Sequence, residues 1–127
     1  MPAIERLMLD GQPEPVSHYC HVTKAGNLVW VSGTVGVAAD GSIPAGVVEQ
    51  FEIAIANMDA CLNAVGAGPE HVVKVTVYLT DVADRQKINP IRQRYFGGHR
   101  PVSTLVEVSA LVLPALKVEI EAQAVLP

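Results

Sequence analysis

Residues 100–126, RPVSTLVEVSALVLPALKVEIEAQAVL, decide how this chain is read. The second half alternates with the period of two of a half-buried strand. Val118, Ile120, Ala122 and Ala124 fall on one face, and Lys117, Glu119, Glu121 and Gln123 on the other. The first half sets Thr104, Val106, Val108 and Ala110 against Ser103, Leu105, Glu107 and Ser109. A turn at Pro114 joins the two, and the pattern predicts a β-hairpin with Leu111 opposite Lys117. In that register Val108 meets Ile120 and Val106 meets Ala122, so the apolar faces coincide. Glu107 then stands opposite Glu121, and like charges directly opposed are destabilising. Either that face is wet, where exposed charges interact weakly, or a subunit or ligand covers it.

Working outward, residues 1–10 read as a short edge strand, and Gln12–Val16, with Pro13 and Pro15, as a loop. His18–Thr23 and Leu28–Ser32, around Ala25-Gly26-Asn27, predict a β-hairpin. Ser32-Gly33-Thr34 ends it, with a glycine that lets another group approach the backbone. Ala39-Asp40-Gly41-Ser42 is a second turn. From Val47, apolar residues recur at Val48, Phe51, Ala54, Ile55, Met58, Leu62 and Val65, one face of a helix that Gly66 stops. Val72–Leu79 is a strand, with Val73, Val75, Val77 and Leu79 on one face and Val72, Lys74, Thr76 and Tyr78 on the other. A second helix spans about Asp84 to Phe96, with Ile88, Ile91 and Tyr95 as its stripe. Pro90 lies inside it. It requires either a fresh start capped by Asn89 with Pro90 in first position, or one kinked helix. Both helices can pack on one face of a mixed sheet, which gives a single two-layer α+β domain over residues 1–127.

Half of the 127 residues are hydrophobic and 17% are charged. That is too apolar for disorder and apolar for a small monomer, so an oligomer is expected. A net charge of −4 argues against a surface built for phosphate backbones. The N-terminal MPAIERLMLDG lacks a basic segment followed by an apolar run, and no stretch approaches membrane-spanning length. The expectation is a cytoplasmic protein with no membrane partner. Cys20 and Cys61 read as isolated reduced thiols, one on a strand and one in a helix.

His18, Cys20 and His21 form an H-x-C-H group. On a strand, His18 and Cys20 share a face and His21 points away. A zinc site needs further ligands, and only His71 and His99 remain, both at element ends. The group therefore reads as ordinary strand and interface histidines, with no metal expected. No nucleophile elbow, P-loop or dinucleotide fingerprint is present.

Taken together, Tyr19 in HYCHVTKAG, VSGT at 31–34, VVKVTVYLTDV at 72–82, Asn89 and Phe96 in the second helix, RPVSTLVEV and KVEIEAQAV resemble the RidA/YjgF family of small imine and enamine deaminases. Some of its members were first described as translation inhibitors with ribonuclease activity. The resemblance implies a chorismate mutase-like fold of the bacterial trimeric type: homotrimers whose sheets line the centre and whose ligand clefts lie between subunits. It implies hydrolysis of a reactive imine to a carbonyl and ammonia, without a cofactor. Glu119 would position the water, and Tyr19, Ser32, Gly33 and Asn89 would line the cleft. It also implies an arginine two residues after the proline of the late motif, clamping a substrate carboxylate. Here that residue is Ser103, whose neutral hydroxyl cannot replace a guanidinium fork. This places the chain in an arginine-lacking branch. Its small imine or enamine substrate would be non-standard, in a more neutral pocket shaped by Ser103 and Thr104. Alternatively Arg100, or Arg85, Arg92 or Arg94 from a neighbour, reaches the same anion. Two other readings stand beside this one: a catalytically silent trimeric ligand-binding or regulatory protein, and an RNA-directed activity, which the acidic charge disfavours.

Overall fold

The computed structural model describes residues 3–127. The elements run β1 (Ile4–Leu7), β2 (Val22–Ala25), β3 (Leu28–Val35), α1 (Val47–Ala64), β4 (Val72–Leu79), α2 (Arg85–Phe96), β5 (Val102–Glu107) and β6 (Val118–Val125). The strands form one mixed sheet in the order β1-β2-β3-β6-β4-β5, and the pairing of β4 with β5 is parallel. Each of the other pairs is antiparallel. Parallel neighbours need a crossover, and α2 supplies it between β4 and β5. α1 does the same between β3 and β4, which run parallel on either side of β6. The expected two-layer α+β architecture is what forms.

The predicted closing hairpin does not form. β6 enters the centre of the sheet, paired with β3 on one side and β4 on the other. β5 lies on the outer edge, beyond β4. Residues 108–117 separate β5 from β6, a connection too long for a tight hairpin and long enough to step over β4. A central strand also satisfies its backbone groups on both edges, which an apolar alternating strand such as β6 rewards. The Glu107–Glu121 opposition disappears with the hairpin. Glu107 Oε1 instead accepts a hydrogen bond from Val82 N at 2.9 Å, and Glu121 Oε1 accepts one from Tyr78 OH at 2.7 Å.

In β6 the faces are as expected, with Val118, Ile120, Ala122 and Ala124 buried beneath the helices. In β5 they are reversed. Ser103 and Leu105 are in register with the buried Val75 and Val77, so they face the helices. Val102, Thr104 and Val106 face away, on the open side of the sheet. β4 carries a register irregularity between Val72 and Lys74; it buries Val72 and exposes Val73, the reverse of the simple alternation. Ser32 and Gly33 do not end β3. They form a bulge inside it, between the Val31–Ala122 and Thr34–Ile120 pairs. His18 and Cys20 precede β2, which begins only at Val22.

The helices form where the periodicity puts them. α1 buries Phe51, Ala54, Met58 and Leu62 against the sheet and ends at Gly66, whose φ of 82° is the left-handed conformation a C-terminal glycine takes easily. α2 is one continuous helix with Pro90 inside it, so Asn89 is an exposed interior residue and not a cap. Asp84 precedes its first turn and pairs with Lys87 at 3.1 Å. Pro90 is exposed, where water can reach the carbonyl it leaves without a donor.

Candidate active site

The site begins with the bulge in β3. There the backbone bends so that Ser32 N donates to His21 O at 3.0 Å, and Ser32 Oγ donates to Cys20 O at 2.6 Å. Gly33 lies directly under the Glu119 side chain, and a methyl group added at Gly33 would collide with Glu119 Oε2. This is the close approach that the glycine permits. Beside the bulge lies a cleft of about 700 Å³ whose lining includes Tyr19, His21, Ser32, Gly33, Asn57 and Glu119.

Glu119 is half-buried on β6. Burial, and secondarily the neighbouring charge of Glu121, pushes its carboxyl above the usual range. Among the described residues its oxygens have neither a hydrogen-bond donor nor a cation. Such a carboxylate is suited to accept a hydrogen bond from a water or ligand in the cleft, and a pKa moved toward neutrality suits proton transfer.

Two features of the cleft were not legible in the sequence. His21 is buried and uses both ring nitrogens on the backbone: Nδ1 accepts from Leu9 N at 2.9 Å and Nε2 donates to Pro13 O at 3.0 Å. It is therefore the neutral Nε2–H tautomer, and it ties the 9–13 segment over the cleft. Asn57 Nδ2 donates to Val35 O and Val37 O, each at 3.3 Å, and holds the segment leaving β3. Only the polar residue on an otherwise apolar helical face hints at the latter.

Of the seven predicted site residues, Tyr19, Ser32, Gly33 and Glu119 come together in the cleft. Asn89, Ser103 and Thr104 do not line it. Asn89 lies on α2, one turn before Arg92, and Arg92 Nη2 donates to Ser103 Oγ at 2.8 Å. Ser103 faces the helices and Glu119 the open side of the sheet, so within one chain the sheet separates them. Thr104 shares the open side but is not beside Glu119.

A mixed sheet backed by two helices, with a strand carboxylate over a glycine bulge beside a cleft, defines a small two-layer α+β domain. Residues 10–126 match the family described as Endoribonuclease L-PSP. A RutC family protein of Pyrococcus abyssi is 38% identical over 122 residues, 94% of this chain and 95% of the relative. The 2-iminobutanoate/2-iminopropanoate deaminase of Mus musculus is 35% identical over 115 residues, 89% of this chain and 84% of that protein. The crystal structure of E. coli TdcF with bound serine superposes with a TM-score of 0.90 at 30% identity, covering 97% of this chain and 99% of that one. The chain belongs to the RidA/YjgF family. Among its described residues no helix is long and apolar enough to cross a membrane.

Proposed function

We propose that this protein hydrolyses a small reactive imine or enamine to a carbonyl compound and ammonia, with Glu119 orienting the attacking water. The observation that carries the reading is the half-buried Glu119 carboxylate, turned into the cleft over Gly33 without a protein partner. The name of the mouse relative supports it. Water adds through oxygen to the C=N carbon, and the π electrons move to nitrogen, which takes a proton. Glu119 accepts one proton from the water and passes it to the nitrogen, which leaves a carbinolamine. The carbinolamine hydroxyl then gives up its proton, again by way of Glu119, to the nitrogen as the C–N bond breaks, the carbonyl forms and ammonia leaves. Tyr19, Ser32 and the backbone at Gly33 line the side on which the imine lies.

The rest of the site comes from another copy of the chain. Asn89, Ser103 and Thr104 lie outside the Glu119 cleft within one protomer, and the open face of the sheet exposes Leu28, Trp30, Val102 and Val106. Apolar side chains left exposed on a sheet face are what a subunit contact buries. A homotrimer with clefts between subunits fits both facts. Because Ser103 stands where the family resemblance expects an arginine, the substrate is non-standard. The same residue favours a second reading, in which the cleft binds a small ligand without turning it over.

The test is hydrolysis of imines generated in situ by an amino-acid or amine oxidase. Purified protein should speed carbonyl release, and Glu119→Gln should slow it by about 10²- to 10⁴-fold, the usual worth of a positioned acid–base group. Equal rates for the two proteins would end the role given to Glu119. Saturable binding with no turnover of any imine would establish the second reading.

A further inference from the structure

The cleft beside Gly33 is larger than the reaction needs. At about 700 Å³ it falls among sites that hold drug-sized molecules, and the imine carbon uses only the part next to Glu119. The side-chain donors of the remaining wall are spent on backbone carbonyls. Gln12 Nε2 donates to Asn57 O at 3.3 Å, His21 Nε2 to Pro13 O at 3.0 Å, Ser32 Oγ to Cys20 O at 2.6 Å and Thr34 Oγ1 to Ala54 O at 2.9 Å. The Asn57 amide does the same toward Val35 O and Val37 O. Glu14 and Asp40 also line the cleft, but both are exposed, where an ion pair with a charged ligand is worth little. What is left is hydrocarbon: Pro13, Val16, Val35, Val37, Val112 and Leu113. Val16 and Val112 are 57% and 60% exposed, so a ligand that covers them removes apolar surface from water. Three segments far apart in sequence supply this wall, and each is pinned by a polar side chain. His21 ties the first and Asn57 the second, and Gln50 Nε2 holds the third through Ala115 O at 2.9 Å. A wall fixed in this way is ordered before the ligand arrives.

We propose that the cleft takes imines that carry a branched or aromatic hydrocarbon side chain, and that Val16, Val37, Val112 and Leu113 select it. On the imine-hydrolysis reading, on which this rests, the C=N carbon lies at Glu119 and the side chain runs along the valines. A polar side chain of the same length gives up its water and finds the donors of the wall already engaged. The selection is graded, at about fourfold for each carbon buried.

Ketone products bind without turnover and so separate the two ideas. NMR titration of the wild type with acetone, 4-methyl-2-pentanone and 4-hydroxy-4-methyl-2-pentanone gives Kd, and the amide shifts give the place. The branched ketone should bind about 10- to 60-fold more tightly than acetone and should move the amides of Val16, Val37 and Val112. Its hydroxylated form should lose most of that gain. Val16→Ser/Val112→Ser alters two exposed positions, leaves the core intact and should cut the ratio by about three- to tenfold. No binding of the branched ketone, a ratio near one, a hydroxylated ketone that binds as well as its parent, or a ratio unchanged in the double variant overturns the apolar wall. Imines made in situ by an amine oxidase from 3-methylbutylamine and from ethylamine carry the comparison into turnover. A higher kcat/KM for the former supports the selection; equal or reversed values overturn it and leave imine hydrolysis standing. Graded ketone binding with no turnover of any imine would sink imine hydrolysis alone.

Discussion

The Glu119 carboxyl is half-buried on β6 and sits two residues from Glu121 on the same face, and both facts raise its pKa. The folded chain therefore holds that proton more tightly than the unfolded chain does. The contribution to stability is greatest below the ordinary carboxylate range and is lost as pH rises through the folded-state pKa. Glu119→Gln removes this burden, so at neutral pH the variant should unfold at a higher temperature than the wild type. The gap should close as pH falls through the carboxylate range, as thermal melts across pH would show. Under the proposed mechanism the same substitution slows hydrolysis, the opposition between stability and activity common at sites with buried charge. Gly33→Ala tests the neighbouring contact. The added methyl meets the end of a flexible side chain rather than backbone, so the fold should survive while Glu119 is pushed aside. The expected result is a fall in kcat/KM of about tenfold or more, since displacing a positioned group is costly, with little change in Tm. A large drop in Tm with the remaining activity intact would show that Gly33 serves the strand rather than the carboxylate.

Among the elements, α1 and β6 were legible because each carries a clean period and packs one face. The partnership of β6 was not. Which strands flank it depends on contacts far apart in sequence, and an alternating pattern encodes a face, not a neighbour. β5 misled for a further reason: as an edge strand it mixes apolar residues on both faces, so Val106 and Leu105 compete to mark the core, and only the register with Val75 and Val77 decides. Tyr19, Ser32 and Glu119 were recognised through family resemblance rather than through local chemistry, whereas Gly33 was also legible as a point of close approach to the backbone, and Arg92 became distinct from the chain's other arginines only when α2 was laid against β5. Gln50 is likewise invisible in the sequence, a polar residue on the buried face of α1. It is fully buried; Nε2 donates to Pro44 O at 2.8 Å and to Ala115 O at 2.9 Å, and Oε1 accepts from Lys117 N at 2.8 Å. It thus anchors the segment before β6, from which Val112 and Leu113 reach the cleft. Gln50→Leu leaves one N–H and two carbonyls without these partners, at a cost of about 2–4 kcal/mol in urea unfolding. Amides from Val112 to Lys117 should exchange faster in the variant. A loss within error of zero would mean that the segment is held by Leu116 packing instead.

For the whole molecule, the decisive fact is that the sheet divides the candidate site. Glu119 lies on the open side of the sheet, while Arg92 and Ser103 lie between α2 and the outer edge strand. If one functional site uses both, it is built from two copies, and two variants each dead in a different half can repair one another. Glu119→Gln keeps the Arg92 half, and Arg92→Ser keeps the Glu119 half. Each alone should be inactive toward an imine that the wild type hydrolyses. Unfolded together in equal amounts and refolded, or co-expressed, they should form mixed closed rings in which about a quarter of the interfaces join an intact Glu119 to an intact Arg92, whatever the ring size. Activity of the mixture should therefore rise toward about a quarter of the wild-type level, with the other interfaces silent. Mixing the separately folded variants without exchange should give no recovery, which controls for trace wild type. A site formed wholly within one protomer predicts no recovery in either case, and Trp30→Glu, which places a charge on the open face, should then leave activity intact. If the shared site is correct, Trp30→Glu should shift the protein to monomer in analytical ultracentrifugation and abolish turnover with Glu119 and Arg92 both still present.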